Sequence, residues 1–145
     1  MFLLMRADQV VREHIIYGDK VRNTVIENSL FTRLAYSTPG VHFNGICIRM
    51  NIAGGTISEH YNKHKCTFPS YPNSQMIRSL MSIERRILES YSSHKIMVTN
   101  LRDHLMSGMI KIFTYEKVVG TVILKISGIW EDESSYGITY KFIST

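Results

Sequence analysis

Residues 123–142 read ILKISGIWEDESSYGITYKF, two β-prone runs around a short acidic, serine-containing segment, and the first run ends on the only tryptophan of the chain, Trp130. In the run 121–130, Val122, Leu124 and Ile126 alternate with Ile123, Lys125 and Ser127. In the run 136–143, Tyr136, Ile138, Tyr140 and Phe142 alternate with Gly137, Thr139, Lys141 and Ile143. Successive side chains of a strand point to opposite faces, so period two marks one buried face and one wet face. The pattern predicts a hairpin turned at residues 131–134. Trp130 is expected to close the core and fix the register, and EDES to be a solubilising turn without chemistry. Gly137 leaves a position without Cβ that a backbone or a ligand can approach closely.

Upstream, MIKIFTY (109–115) places Ile110 and Ile112 on one face and Lys111, Phe113 and Tyr115 on the other. Residues 109–143 therefore read as a three-stranded meander. Before it lies the clearest helix, over 76–91: Ile77, Leu80, Ile83, Ile87, Leu88 and Tyr91 recur at steps of three and four, behind Ser74 as N-cap. Arg78, Glu84, Arg85, Arg86 and Glu89 are read as its solvated face. A shorter helix is predicted over 100–107, with Asn100 and Asp103 in capping-box-like spacing and Gly108 as its stop. TFPSYPNSQ (67–75) holds two of the three prolines and reads as a surface loop.

Residues 1–66 are β-rich. VVREHIIY (10–17), VRNTVIENSLFTRLAY (21–36) and VHFNGICIRMNI (41–52) are separated by turn formers at Gly18-Asp19, Thr38-Pro39-Gly40 and Gly54-Gly55. Residues 24–34 also suit a helix and are read as strand. Ile46, Ile48, Met50 and Ile52 alternate with Cys47, Arg49 and Asn51. The expected fold class is α+β, mostly β: an OB-like small barrel, for which element order and count speak, or a single antiparallel sheet packed on one central amphipathic helix.

With 145 residues, 44% hydrophobic and 20% charged, the chain suits one folded domain over 1–145 and not a disordered one. Seventeen Lys and Arg against 12 Asp and Glu give +5, which favours an anionic partner. Two cysteines make no disulfide scaffold and suit a reducing compartment. The apolar run in MFLLMRAD is too short for a signal segment, and no stretch approaches the roughly 20 apolar residues of a membrane span. A soluble, intracellular protein without a membrane partner is expected.

No G-x-S-x-G, P-loop, H-E-x-x-H or Rossmann glycine cluster is present, so the sequence names no reaction; neither an enzyme nor a cofactor is expected. Cys47, His60, His64 and Cys66 fall within twenty residues, but without the first Cys pair of a zinc finger. A structural zinc site stays open beside the reading of Cys47 as a buried apolar residue and of the histidines as loop residues, and no metal is assigned.

SEHYNKHK (58–65) interleaves Tyr61 with Lys63 and Lys65 and is read as a flanking loop. The later strands repeat the mixture at Lys111, Phe113 and Tyr115, at Lys125, and at Tyr140 and Lys141. Cations neutralise phosphates and aromatic faces stack on bases whatever their identity, which is the chemistry of sequence-independent single-strand binding.

The run VILKISGIWEDESSYGITYKF (122–142), with LRDHLMSGMIKIF (101–113) before it, resembles the closing strands of single-stranded DNA-binding proteins of large DNA viruses and related elements. The resemblance implies an OB-like fold, a role in DNA replication, self-association along the strand, and a location in the nucleus or at a viral replication site. It carries over Trp130, Tyr136, Gly137, Tyr140 and Lys141. Such proteins often end in an acidic tail, where this sequence has FIST (142–145), so recruitment of partners would work otherwise or be absent. A self-assembling viral or mobile-element structural protein is the alternative, on the strength of eight methionines and the unpaired edges that a short meander leaves.

Overall fold

A computed structural model describes residues 4–60, 63–114 and 119–144, so Tyr61 and Tyr115 lie outside the described residues. The strands are β1 (Leu4–Met5), β2 (Ile15–Arg22), β3 (Leu30–Thr38), β4 (Val41–Asn44), β5 (Ile46–Met50), β6 (Thr56–His60), β7 (Lys63–Thr67), β8 (Ile96–Met97), β9 (Met109–Phe113), β10 (Val122–Glu131) and β11 (Ser135–Ser144). The α-helices are α1 (Ser74–Tyr91) and α2 (Asn100–Ser107). The fold is α+β and mostly β, with one long helix against a mixed, unclosed sheet.

The 123–142 hairpin is the centre of that sheet. β10 and β11 pair along their whole length, from Val122↔Ser144 to Glu131↔Tyr136. The other edge of β10 serves two partners in turn: Val122–Ile126 pair with β5, and Gly128–Glu131 pair with β3. The handover falls at Ser127, where a bulge interrupts the β10–β11 register. A bulge adds one residue to one strand and bends it, so a single strand can leave one neighbour and meet another.

β9 lies beside β11, not beside β10. Phe142↔Ile112 and Ile143↔Phe113 are parallel pairs, so 109–143 is no meander, and the parallel pairs β1–β5, β8–β11 and β9–β11 make the sheet mixed instead of purely antiparallel. In sequence β10 lies between β9 and β11, but in the sheet it stands on the other side of β11, so β11 runs antiparallel to β10 and parallel to β9. β9 continues to β7 and then to the edge strand β6. Residues 58–65 are thus mostly strand, and Lys63 and Lys65 lie on β7 instead of a flanking loop. At the other end β2 runs through Gly18-Asp19 with a register shift between Tyr17 and Lys20, where a turn is expected from sequence. Strand β3 begins only at Leu30, after bends and turns over residues 24–28.

One face of the sheet is buried. Leu34, Ile46, Ile48, Ile112, Leu124, Ile126, Ile129, Ile138 and Phe142 meet Ile77, Leu80, Ile87 and Leu88 of α1 and Leu101 and Leu105 of α2 in one core. α1 starts at Ser74, behind Asn73 at the N-cap, after a 3-10 turn. The Asn73 amide is spent elsewhere, bonding to both backbone groups of Ala53 and to the Pro69 carbonyl. Glu84 does not join a solvated helix face: it is 0% exposed, and its two oxygens accept the N–H groups of Leu101 and Arg102 at 3.0 Å. The N-terminus of α2 is therefore capped by a residue of α1. Burial pushes the Glu84 carboxyl up, against the pull of those two N–H bonds. Gly108 ends α2 in the left-handed region, as the sequence suggests.

Candidate nucleic-acid interface

Both α-helices and their contacts lie on the core side, so alternation turns the remaining strand positions to the opposite, outer face. Those positions are Cys47 and Arg49 on β5, Lys63, Lys65 and Thr67 on β7, Met109, Lys111 and Phe113 on β9, Ile123, Lys125, Ser127, Gly128 and Trp130 on β10, and Ser135, Gly137, Thr139, Lys141 and Ile143 on β11. None is Asp or Glu. Lys65 pairs with Lys111, and Lys125 with Lys141. Lys111 and Lys141 each precede the Ile112↔Phe142 pair by one residue. Four lysines thus follow one another across β7, β9, β11 and β10.

Beside this row, Phe113 pairs with Ile143 and is 52% exposed. Lys63, Lys111 and Lys141 are exposed, while Lys65 and Lys125 are half-buried. Arg33, exposed on β3, and Arg49 extend the cations at the two ends of β10. None of these seven cations enters an ion pair among the described residues, where the pairs are Arg6–Asp8, Arg85–Glu89, Lys20–Glu131 and Lys95–Glu131. Sequence reading set Arg49 opposite the apolar positions of its strand, but it did not place Arg33, which falls in the segment 24–34 that also suits a helix.

Tyr140 is not part of the exposed face. It turns to the core side, half-buried, and its hydroxyl is hydrogen-bonded to His104 Nδ1 of α2. The His104 and Phe142 rings meet the Tyr140 ring edge-on at 5.9 and 5.7 Å. Burial, then the charges of Glu84 and Asp103, push the Tyr140 phenol well above its ordinary value, so it stays a neutral donor. Tyr140 still meets the predicted face at one place. His104, Ile110, Lys111, Phe113, Tyr140, Lys141 and Phe142 line a cleft of about 250 Å³ where β9 and β11 part. His104 is the member of this group that sequence reading missed; its signal was its place on α2 between Leu101 and Leu105, turned away from the core.

Trp130 does not close the core. It lies half-buried on the outer face, with its ring 2.9 to 3.0 Å from where a Cβ of its partner Gly137 would stand. Phe31 does the same over Gly128, at 2.5 to 2.7 Å. Both glycines are covered by a cross-strand aromatic, which fixes the register of β10 from either side. The acidic turn also holds a buried charge. Glu131 is 5% exposed and accepts from the Tyr91 hydroxyl at 2.7 Å, with Lys95 Nζ at 2.8 Å and Lys20 Nζ at 3.3 Å. Burial opposes its ionisation, but Lys95, Tyr91 and Lys20 outweigh it and hold the carboxyl down at about 2. Only Asp132 makes a turn of the usual kind, accepting the Ser134 and Ser135 N–H groups.

Cys47 faces outward on β5 beside Lys125, whereas Cys66 belongs to the core on β7. No group of three or more Cys, His, Asp or Glu side chains is placed to hold a metal among the described residues. A larger cleft, about 560 Å³, joins the end of β5 to the β6 hairpin, but Arg49 is the one charged residue in its lining. Among the described residues no helix is long and apolar enough to cross a membrane. No protein-family model, curated protein or solved structure matches the chain.

Proposed function

We propose that the protein binds single-stranded nucleic acid, DNA before RNA, without regard to sequence, through the outer face of its sheet. The observation that supports this reading is the row Lys65, Lys111, Lys141 and Lys125, with no Asp or Glu among the described outward positions of β5, β7, β9, β10 and β11. Cations that lack protein partners release the counterions of a polyanion when it binds, which supplies affinity and makes it salt-dependent. Phe113, exposed beside the row, offers a face on which a base can stack. Use of an open sheet face is also what the OB-like reading and the resemblance to viral single-strand binders imply. Replication sites are the corresponding location, and no catalytic step or cofactor is invoked.

Fluorescence anisotropy with labelled oligo-dT at two salt concentrations tests the reading. Expected is binding tighter than that of an unrelated protein of equal net charge, weakening as salt rises. Equal or weaker affinity than that control, or none of the salt dependence, overturns it.

A second reading, assembly with copies of itself, is favoured by β2, which among the described residues pairs only with β3 and exposes Ile16 and Val21. An unpaired apolar edge is a template for another strand. Light scattering separates the two: stable oligomers without oligonucleotide affinity favour assembly, and oligomers formed only on DNA favour coating.

A further inference from the structure

We propose that the cleft between β9 and β11 takes one nucleotide out of the bound strand, with the base against Phe113 and Tyr140 and the phosphate across Lys111 and Lys141. The inference rests on the sheet-face reading and assigns that face a defined subsite.

The cleft exists because the far edge of β11 has a gap. β8 pairs with Ser135 and Tyr136, β9 pairs with Phe142 and Ile143, and among the described residues no strand pairs with residues 137–141 on that edge. The Tyr136 carbonyl accepts the Val98 N–H on this edge, so by alternation the peptide groups of Ile138 and Tyr140 turn to it as well. A base edge carries the complementary donors and acceptors. The chemistry around the opening is divided as a nucleotide is. Lys111 and Lys141 stand at the rim, Phe113 and Phe142 form aromatic wall, and the hydrogen-bonded His104–Tyr140 pair adds polar atoms. At about 250 Å³ the space lies just below the range of roughly 300 to 1,000 Å³ usual for drug-sized ligands, the scale of one nucleotide.

Two measurements test the subsite. Oligo-dT carrying a single 2-aminopurine reports unstacking, and its fluorescence is expected to change on binding. Phe113→Ala is expected to weaken oligo-dT binding about 5- to 100-fold, the loss of one base stack, with the salt dependence unchanged. Lys111→Gln is expected to lower the salt dependence instead. In the second measurement the His104 ring signals are followed by NMR during titration with dTMP or with inorganic phosphate. Shifts with dTMP that phosphate does not reproduce support the subsite.

Oligo-dT binding that is salt-dependent but indifferent to Phe113→Ala, or equal His104 shifts with phosphate, overturns the subsite and leaves the sheet-face reading standing. No oligo-dT binding by the unaltered protein overturns the sheet-face reading. A dTMP response surviving alone would then mark a mononucleotide site.

Discussion

Glu131 shows how one residue's role depends on neighbours remote in sequence. Read locally it opens an acidic turn; in the fold it is a buried carboxylate held by Lys20, Lys95 and Tyr91. Its folded pKa of about 2 lies below the ordinary 4.5, so its stabilisation is complete at neutral pH and is lost as pH falls from roughly 4.5 toward 2. That difference corresponds to roughly 3 kcal/mol. Glu131→Gln is expected to cost about 2 to 3 kcal/mol at pH 7, because two ammonium groups lose their partner. Urea unfolding across pH should show the gap between variant and parent closing below pH 4.5; parallel curves would contradict the assignment. Gly128 and Gly137 carry a sharper steric demand. A Cβ on Gly128 would stand 2.3 Å from the Thr32 carbonyl oxygen and 2.5 to 2.7 Å from two carbons of the Phe31 ring, so Gly128→Ala is expected to cost about 2 kcal/mol or more in thermal or urea unfolding, as overpacking does. Neither the Glu131 partners nor the ring over Gly128 was legible, since each contact joins residues far apart in sequence.

At the scale of elements, legibility followed the range of the interactions. α1 was readable from its apolar spacing, and the hairpin of β10 and β11 from alternation, because both signals are local. The position of β9 beside β11 was not, because a parallel pair is set by a crossover and by distant contacts. β6 and β7 escaped notice because SEHYNKHK is polar, the composition of an edge hairpin as much as of a loop. The cap on α2 was misassigned for a similar reason: Asn100 and Asp103 have the right spacing, yet the bonds come from Glu84 of α1. Glu84→Ala is expected to cost about 2 kcal/mol and to speed hydrogen exchange at the Leu101 and Arg102 amides, which lose their acceptor in a buried place. Unchanged exchange there would remove Glu84 from the role. The raised pKa of Glu84 acts opposite to that of Glu131: protonation favours the folded form, so this residue gives up stability as pH rises through its folded value.

For the whole molecule, the helices on one side of the sheet leave the other side as the place where charge collects. Alternation separated Lys111, Lys125 and Lys141 from the apolar positions of their strands, but which face is outward, and their alignment with Lys65 in one row, needed the strand order and the side on which the helices pack. Aromatic residues were less well placed by sequence, since Tyr140 turns inward while Phe113 stays on the face. The claim that this face binds a single strand predicts a division between two sets of cations. Lys65, Lys111, Lys125 and Lys141 lie on the face, and Arg78 and Arg86 lie on α1 beyond the core. The most direct test is the salt dependence of oligo-dT affinity for the parent, for a quadruple variant with those four lysines changed to Gln, and for Arg78→Gln with Arg86→Gln. The account predicts that the quadruple variant loses about 3 from the slope of log affinity against log salt, near 0.7 for each phosphate contact, while the arginine variant keeps the parent's slope. A quadruple variant with the parent's slope, or an arginine variant that alone loses it, would contradict the account.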